Sequence, residues 1–220
     1  MSYFYKKLWV MGYNLLALWS PYFRVGLFFS MDAHGRSGGL LVCWRNCVFR
    51  FLNSWALESG LCVTLYSIEL QLEFCFLNIY GPYAEREVFW NNLLEHVSNN
   101  CSKIILGGDL NFSLGLSEIW GDRARSDGLS DFFTKLLDDH GLMDIVPSMI
   151  SPIWTNRRVG SENICKRLDR MLISEDLLEF GFCLRQWVGC GGESDHMPVF
   201  FRCWVGISIY ILLSSLILIG

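Results

Sequence analysis

Residues 103–111 read KIILGGDLN, and the fold is decided there. The run 103–108 is short, apolar and uninterrupted, as expected of a central strand buried on both faces. Two glycines close it, and Asp109 and Asn111 follow. A period of two would put both side chains on one side of an extended chain. An acid and an amide projecting together can position a water and bind a phosphate oxygen. Taken alone, the pattern is moderately specific, and the alternative is an ordinary strand-to-loop turn, which favours Gly, Asp and Asn.

Upstream, CVTLYSI (62–68) and LEFCFLNIY (72–80) read as a hairpin that Gly81-Pro82 ends. Before it, GGLLVCW (38–44) and CVFRFL (47–52) read as two strands split by a turn at Arg45-Asn46. Residues 84–97 carry Phe89, Trp90, Leu93, Leu94 and Val97 at helical spacing. Downstream, Leu129, Phe132, Phe133, Leu136 and Leu137 predict a second helix over 128–140. Ser130 or Asp127 would cap it and Gly141 would stop it. Late strands are expected at 167–174 and 197–201. Hairpin strands with two helices between them predict a layered α/β sandwich rather than a Rossmann unit.

The chain has 220 residues, 52% hydrophobic and 18% charged, with nine Trp and sixteen Phe. That suits one domain with a large core and excludes disorder. The net charge of -4 excludes binding nucleic acid through a general basic field, so any such contact needs a local patch. None of the nine cysteines stands in a CxxC pair. Zinc is therefore not expected, and the cysteines read as small buried hydrophobes in a reducing compartment. Lys6 and Lys7 precede LWVMGYNLLALW, a mimic of a signal peptide that lacks a small-residue cleavage site. At the other end, 203–220 is free of charge over 18 residues, at the short edge of a membrane span.

Further polar residues stand at strand ends. NIYGP (78–82) puts Asn78 and Tyr80 on one side, where the phenol could donate to a phosphate. Taken by itself it reads more readily as a core tyrosine at a turn. RLDR (167–170) puts Asp169 inside an apolar strand, flanked by Arg167 and Arg170. A carboxylate there is costly unless paired; it could orient His196, or form a surface salt bridge. SDHMP (194–198) sets Asp195 and His196 before an apolar strand, a metal ligand beside a proton donor or an exposed loop.

In this order and at these distances, NIYGP, GGDLN, RLDR and SDH resemble the endonuclease/exonuclease/phosphatase superfamily. HGRSGGLLVCWRN, GGDLNFSLGLSEIWG, LSDFFTKLLDDHGLMDI, IWTNRR, ICKRLDRMLISEDLL and SDHMPVFF make it similar to the endonuclease domains of plant LINE-type retrotransposons. The resemblance covers residues 22–205 and implies a four-layered α/β sandwich of two mixed sheets flanked by helices. It implies metal-assisted, in-line hydrolysis of a DNA phosphodiester with Mg²⁺ or Mn²⁺. Tyr80 would contact the scissile phosphate, Asp109 would orient or deprotonate the attacking water, and Asn111 would support it. Asp195, with Asp109, would hold the metal; His196 would stabilise the pentacovalent phosphate, oriented by Asp169. Trp154, Asn156, Arg157 and Arg158 would face DNA. A monomer without a nucleotide cofactor, in the nucleus or cytoplasm, is implied.

The family pattern also has a first strand ending in a catalytic Asn and a later strand ending in a metal-binding Glu. Before Gly35 the chain offers only Asn14, out of place, and Asp32, at a non-catalytic position. Glu118 is expected to cap a loop and Glu73 to sit mid-strand, so neither substitutes. The expected organisation is an unrelated segment over 1–21, the nuclease domain without its first strands over 22–203, and a hydrophobic tail over 204–220. The tail is expected to be helical or unstructured beyond Val205. Activity is accordingly expected to be weak or lost. The alternatives are a catalytically dead relict and a membrane-attached protein held by the tail.

Overall fold

The structure is a computed structural model that describes residues 27–31, 40–44, 47–57, 59–190, 194–205 and 207–212. The segment 1–21, Asp32, the whole GRSGG motif and the Arg45-Asn46 turn lie outside the described residues.

The centre is a six-stranded sheet in the order β3-β4-β5-β6-β11-β8. Its members are β3 (Phe49–Leu57), β4 (Gly60–Ser67), β5 (Leu72–Tyr80), β6 (Ile104–Asp109), β8 (Leu142–Asp144) and β11 (Asp169–Ser174). β4 and β5 form the expected hairpin, and β5 and β6 run parallel, so the sheet is mixed. Every residue of β6 is buried, as its unbroken apolar run requires.

Both faces of this sheet are covered. On one lie α1 (Arg86–Asn100) and α2 (Ser130–Asp139), whose Trp90, Leu93, Leu94, Val97, Phe133, Leu136 and Leu137 join Leu77, Ile79, Leu106 and Leu172 in one core. Gly141 ends α2 at φ 58, a left-handed stop that glycine adopts without strain. On the other face, residues of β2 (Leu40–Trp44) and β13 (Val199–Val205) pack on Val63, Leu65, Phe74, Phe76, Ile105, Met171 and Ile173. β2 pairs with β1 (Leu27–Met31), while β12 (Cys183–Val188), β13 and β14 (Ile207–Leu212) form a three-stranded antiparallel sheet. The described residues thus build three layers of the expected sandwich, with both longer helices on one side. A small sheet of β7 (Ile119–Trp120), β10 (Cys165–Lys166) and β9 (Trp154–Thr155) sits at the rim.

Three expectations need correction. β2 pairs with β1 and not with β3, because the chain changes layer between them. The apolar run beyond Val205 does not stand apart: β14 pairs with β13 from Val205↔Ile207 to Phe200↔Leu212. Its β-branched and aromatic residues suit a strand, which a hydropathy reading cannot distinguish from a span. Residues 213–220 lie outside the described ones, and no described helix is long and apolar enough to cross a membrane. Finally, Cys75 and Cys101 are joined as a disulfide, whereas free thiols were expected throughout. Strand and helix end bring them together without any sequence spacing to announce it.

Candidate active site

Asp109 ends β6 and Asp169 opens β11, and the ladder sets the two directly opposite. On the opposite side of β6, Gly108 lets β5 approach closely and so brings Tyr80 alongside Asp109. Its φ is 132, and a Cβ there would lie 2.1 Å from the Ile79 carbonyl oxygen of β5. β13 follows the SDH turn and delivers His196 above both acids. His196 Nδ1 donates to Asp169 Oδ2 at 2.7 Å, and its Nε2 lies 3.6 Å from Asp109 Oδ2. All three are buried: Asp109 at 0%, Asp169 at 6% and His196 at 8% exposure.

Burial and electrostatics set the charge states. Burial, then the neighbouring Asp169 carboxylate, push Asp109 up to about 7 against the pull of His196 and the Asn111 N–H. Burial works against a charged His196. The hydrogen bond and charge of Asp169, with Asp109 and Asp195 behind, outweigh it and raise the imidazole to about 9. At neutral pH the site therefore holds an imidazolium between two acids, one of them near its midpoint. Such displaced pairs are typical of sites that exchange protons.

The sequence set Asp109 and Asn111 on one extended face. The structure differs: Asn111 has φ 54 and sits in the left-handed region. Its N–H donates to Asp109 Oδ1 at 3.2 Å, and its side-chain amide donates to the Gly81 carbonyl at 2.6 Å. Asx-turn bonding of this kind is what makes Asn tolerant of that conformation. Tyr80 ends β5 beside Asp109 in register, and its hydroxyl lies 3.3 Å from that of Tyr83. Burial, then Tyr83, push the Tyr80 phenol upward, so it stays a neutral hydrogen-bond donor. Asn78 is separate: its amide donates to the Leu41 carbonyl and ties β5 to β2.

Among the described residues, two buried acceptors at the site, Asp109 Oδ2 and Asn111 Oδ1, have no hydrogen-bond partner, although His196 Nε2 faces the first at 3.6 Å. An orphaned buried carboxylate oxygen is costly and calls for a proton, a water or a cation. Ligand atoms of Asp109, Asp169 and His196 lie within 4.8 Å of one another. The two carboxylates fit a hard divalent cation in donor chemistry, while His196, as an imidazolium, stands beside such an ion rather than ligating it. Asp195 is not among the three. Its Oδ2 accepts the Trp154 indole N–H at 3.1 Å, so the structure sets it against the rim loop.

That loop is docked on the SDH turn. Trp154 bridges His196, the Thr155 N–H donates to the Asp195 carbonyl, and the Met197 N–H donates to the Ile153 carbonyl. Trp154, Asn156, Arg157, Arg158 and Asp195 line a cleft of about 510 Å³. Arg157 and Arg158 are exposed on it. Asn156 is used internally: its amide donates to Glu162, and its oxygen accepts the N–H groups of Arg158 and Ile164. It therefore shapes the loop rather than presenting a free amide.

Sequence reasoning missed the support behind the acids. Arg167 and Arg170, read as candidates for a surface salt bridge, are fully buried. Arg167 Nη1 lies 2.9 Å from Glu118 and 2.6 Å from Asp144; Arg170 pairs with the same two acids. Glu118 does cap its loop, accepting the Leu114 N–H at 2.7 Å, but it also anchors both arginines. Arg86, which binds the Asn111 carbonyl, was also missed. Nothing in a one-dimensional pattern marks a helix-start arginine as the neighbour of a turn twenty-five residues away.

Comparison with known proteins yields no matching family model and no matching curated protein. Solved structures do match. The endonuclease domain of TRAS1, a telomere-specific non-LTR retrotransposon, superposes at TM-score 0.64 with 16% identity over 82% of this chain and 81% of that one. The AP endonuclease LMAP from Leishmania major gives 0.60 and 15% over 79% and 68%. TDP2 from D. rerio, complexed with a single strand DNA product, gives 0.56 and 12% over 89% and 81%. At these identities the likeness is one of fold, and the chain has the mixed-sheet α/β sandwich of these endonuclease structures.

Proposed function

We propose that this chain is a divalent-metal phosphodiesterase domain of the retroelement endonuclease type, acting on DNA with low intrinsic activity. The observation that carries the reading is the buried Asp109–Asp169–His196 cluster with Asp109 Oδ2 left unbonded. Asp109 takes the role of water-orienting base and of metal ligand, with Asp195 as a more distant carboxylate. Asn111 and Tyr80 face the phosphate as neutral polar groups. His196, held by Asp169, meets the charge that develops on the pentacovalent phosphate. A bound Mg²⁺ or Mn²⁺ would supply charge neutralisation and polarise a phosphoryl oxygen. Trp154, Arg157 and Arg158 offer the DNA-facing rim, and exposed arginines there supply the local positive charge that a chain of net charge -4 lacks overall.

Low activity follows from the ligand count. Among the described residues, only Asp109 and Asp169 lie in the cluster as acids, and Asp169 already serves His196. A cation held by so few carboxylates among the described residues neutralises the reacting charge less well, a loss expected to reach on the order of a hundredfold or more in rate. The test is a supercoiled-plasmid nicking series with Mg²⁺ and Mn²⁺. Slow, metal-dependent nicking that Asp109→Ala/His196→Ala abolishes is expected. Nicking that survives the double substitution would sink the site assignment. Fast nicking by the unaltered chain would overturn only the low rate.

A further inference from the structure

We propose that Arg86 is a positioning residue. Clamped by Asp127, its guanidinium holds the Asn111 backbone in the left-handed turn that sets the Asn111 N–H on Asp109 Oδ1. The turn itself rests on geometry alone; only its catalytic consequence rests on the phosphodiesterase reading above.

Asn111 at φ 54 is in the left-handed region, which Asn enters more readily than other non-glycine residues and keeps where its backbone groups are all bonded there. Two of its bonds are local or come from the neighbouring strand end: its N–H to Asp109 Oδ1, and its amide to the Gly81 carbonyl. These leave the carbonyl of Asn111, which a turn must also satisfy. Arg86 Nη2 donates to it at 2.9 Å. The bond is charge-assisted and so stronger than a neutral one.

The guanidinium cannot drift, because three features fix it. Asp127 takes it in a two-pronged pair, with Nη1 to Oδ1 at 3.0 Å and Nη2 to Oδ2 at 2.6 Å. The Phe133 ring lies beneath it at 4.9 Å from the centroid. Asp127 is itself tied down, accepting the Leu129 N–H at 3.1 Å just before α2. The pair is only 17% and 13% exposed, so solvent does little to screen it. Arg86 begins α1 and Asp127 precedes α2, so both helices are keyed to one carbonyl at the catalytic turn. A pair that only joined the two helices would not need its Nη2 shared with Asn111. Lysine cannot reproduce the fork.

The experiment uses the full chain, labelled with ¹⁵N, as wild type, Arg86→Ala, Arg86→Lys and Asp127→Asn. In Arg86→Ala, we expect the backbone amides of residues 109–112 and the Asn111 side-chain amide to shift and broaden. Amides of Leu94 and Leu137, in the helical core, stay in place. Millimolar guanidinium restores the Asn111 signals in Arg86→Ala, and Asp127→Asn shows the same local pattern more weakly. Residual nicking falls on the order of 10- to 100-fold in kcat with little change in KM. Unmoved Asn111 signals in Arg86→Ala, or in Arg86→Lys and Asp127→Asn should the alanine variant not fold, would overturn the proposal. Perturbation spread evenly over both helices would overturn it too. If the Asn111 signals respond as expected while the wild type never nicks DNA, the phosphodiesterase reading fails and the positioning role stands.

Discussion

At the scale of single residues, the site depends on who holds whom. His196 has two ring nitrogens, and Asp169 takes one of them at 2.7 Å. That leaves Nε2 directed toward Asp109 and the reaction centre. Asp169→Asn keeps the shape but removes the charge and offers an N–H where His196 needs an acceptor. The imidazole should turn over or loosen. We expect residual nicking and Mn²⁺ affinity to fall on the order of 10- to 100-fold, the usual loss when an orienting partner is removed. Isothermal titration with Mn²⁺ and the plasmid assay check it. Unchanged values for both would mean that Asp169 does not orient His196.

Elements explain what could be read from the sequence and what could not. β5 and β6 are legible because burial on both faces writes an unbroken apolar run into the chain. α1 and α2 are legible because each buries one face, and so spaces Leu93, Leu94 and Val97, or Phe133, Leu136 and Leu137, by helical turns. Asp109, Asp169 and His196 were recognisable as strand-end polar residues, and their convergence agrees with strand order. β7, β9 and β10 are two residues each, too short to carry any period. Asn111's left-handed turn was not legible, since a period-two argument assumes that the strand continues. Nor was the burial of Arg167 and Arg170, because charge in a sequence carries no sign of depth. Only the ladder between β11 and β8 brings Asp144 to them.

That buried four-charge group also sets a stability at the same scale. Arg167 and Arg170 are wholly buried against Glu118 and Asp144. Removing one partner strands the others. Arg170→Met is expected to cost about 3–5 kcal/mol. For a chain of this size that lowers Tm by roughly 6–20 °C, which calorimetry would read. A Tm within a degree of wild type would show that the group contributes nothing. pH acts on the same residues. Burial works against both carboxylates, but hydrogen bonds from Arg170 and Arg167 hold Glu118 and Asp144 below their ordinary values of 4.5 and 3.8. A depressed folded pKa gives stability that is complete above the ordinary carboxylate range and lost as pH falls through the folded value. Tm should therefore drop below about pH 4.5 in wild type, and the drop should be shallower in Glu118→Gln. Equal acid sensitivity in the two proteins would contradict this.

At the scale of the whole molecule, the open question is what the apolar run 207–220 does for the domain. Hydropathy alone reads it as a membrane segment; the register reads Ile207–Leu212 as the third strand of the β12-β13-β14 sheet. The two readings separate energetically. A strand contributes a ladder of backbone hydrogen bonds and covers the edge of β13, whose Val199, Phe201 and Cys203 are buried in the core between the sheets. A membrane helix or a loose tail contributes nothing to that ladder. Ile209 pairs with Cys203 in mid-strand. β14 is an edge strand, where only alternate N–H groups enter the ladder, so proline at both Ile209 and Tyr210 is sure to remove a ladder donor. Ile209→Pro/Tyr210→Pro should lower the Tm of the purified full chain by several degrees, roughly the effect of losing 1–3 kcal/mol at this size. It should also increase concentration-dependent self-association, since an unprotected β13 edge is a template for pairing. Thermal unfolding and light scattering measure the two effects. An Ile209→Pro/Tyr210→Pro protein that melts with the wild type would show that β14 is no part of the sandwich, and the detergent dependence of wild-type solubility would then decide for the membrane.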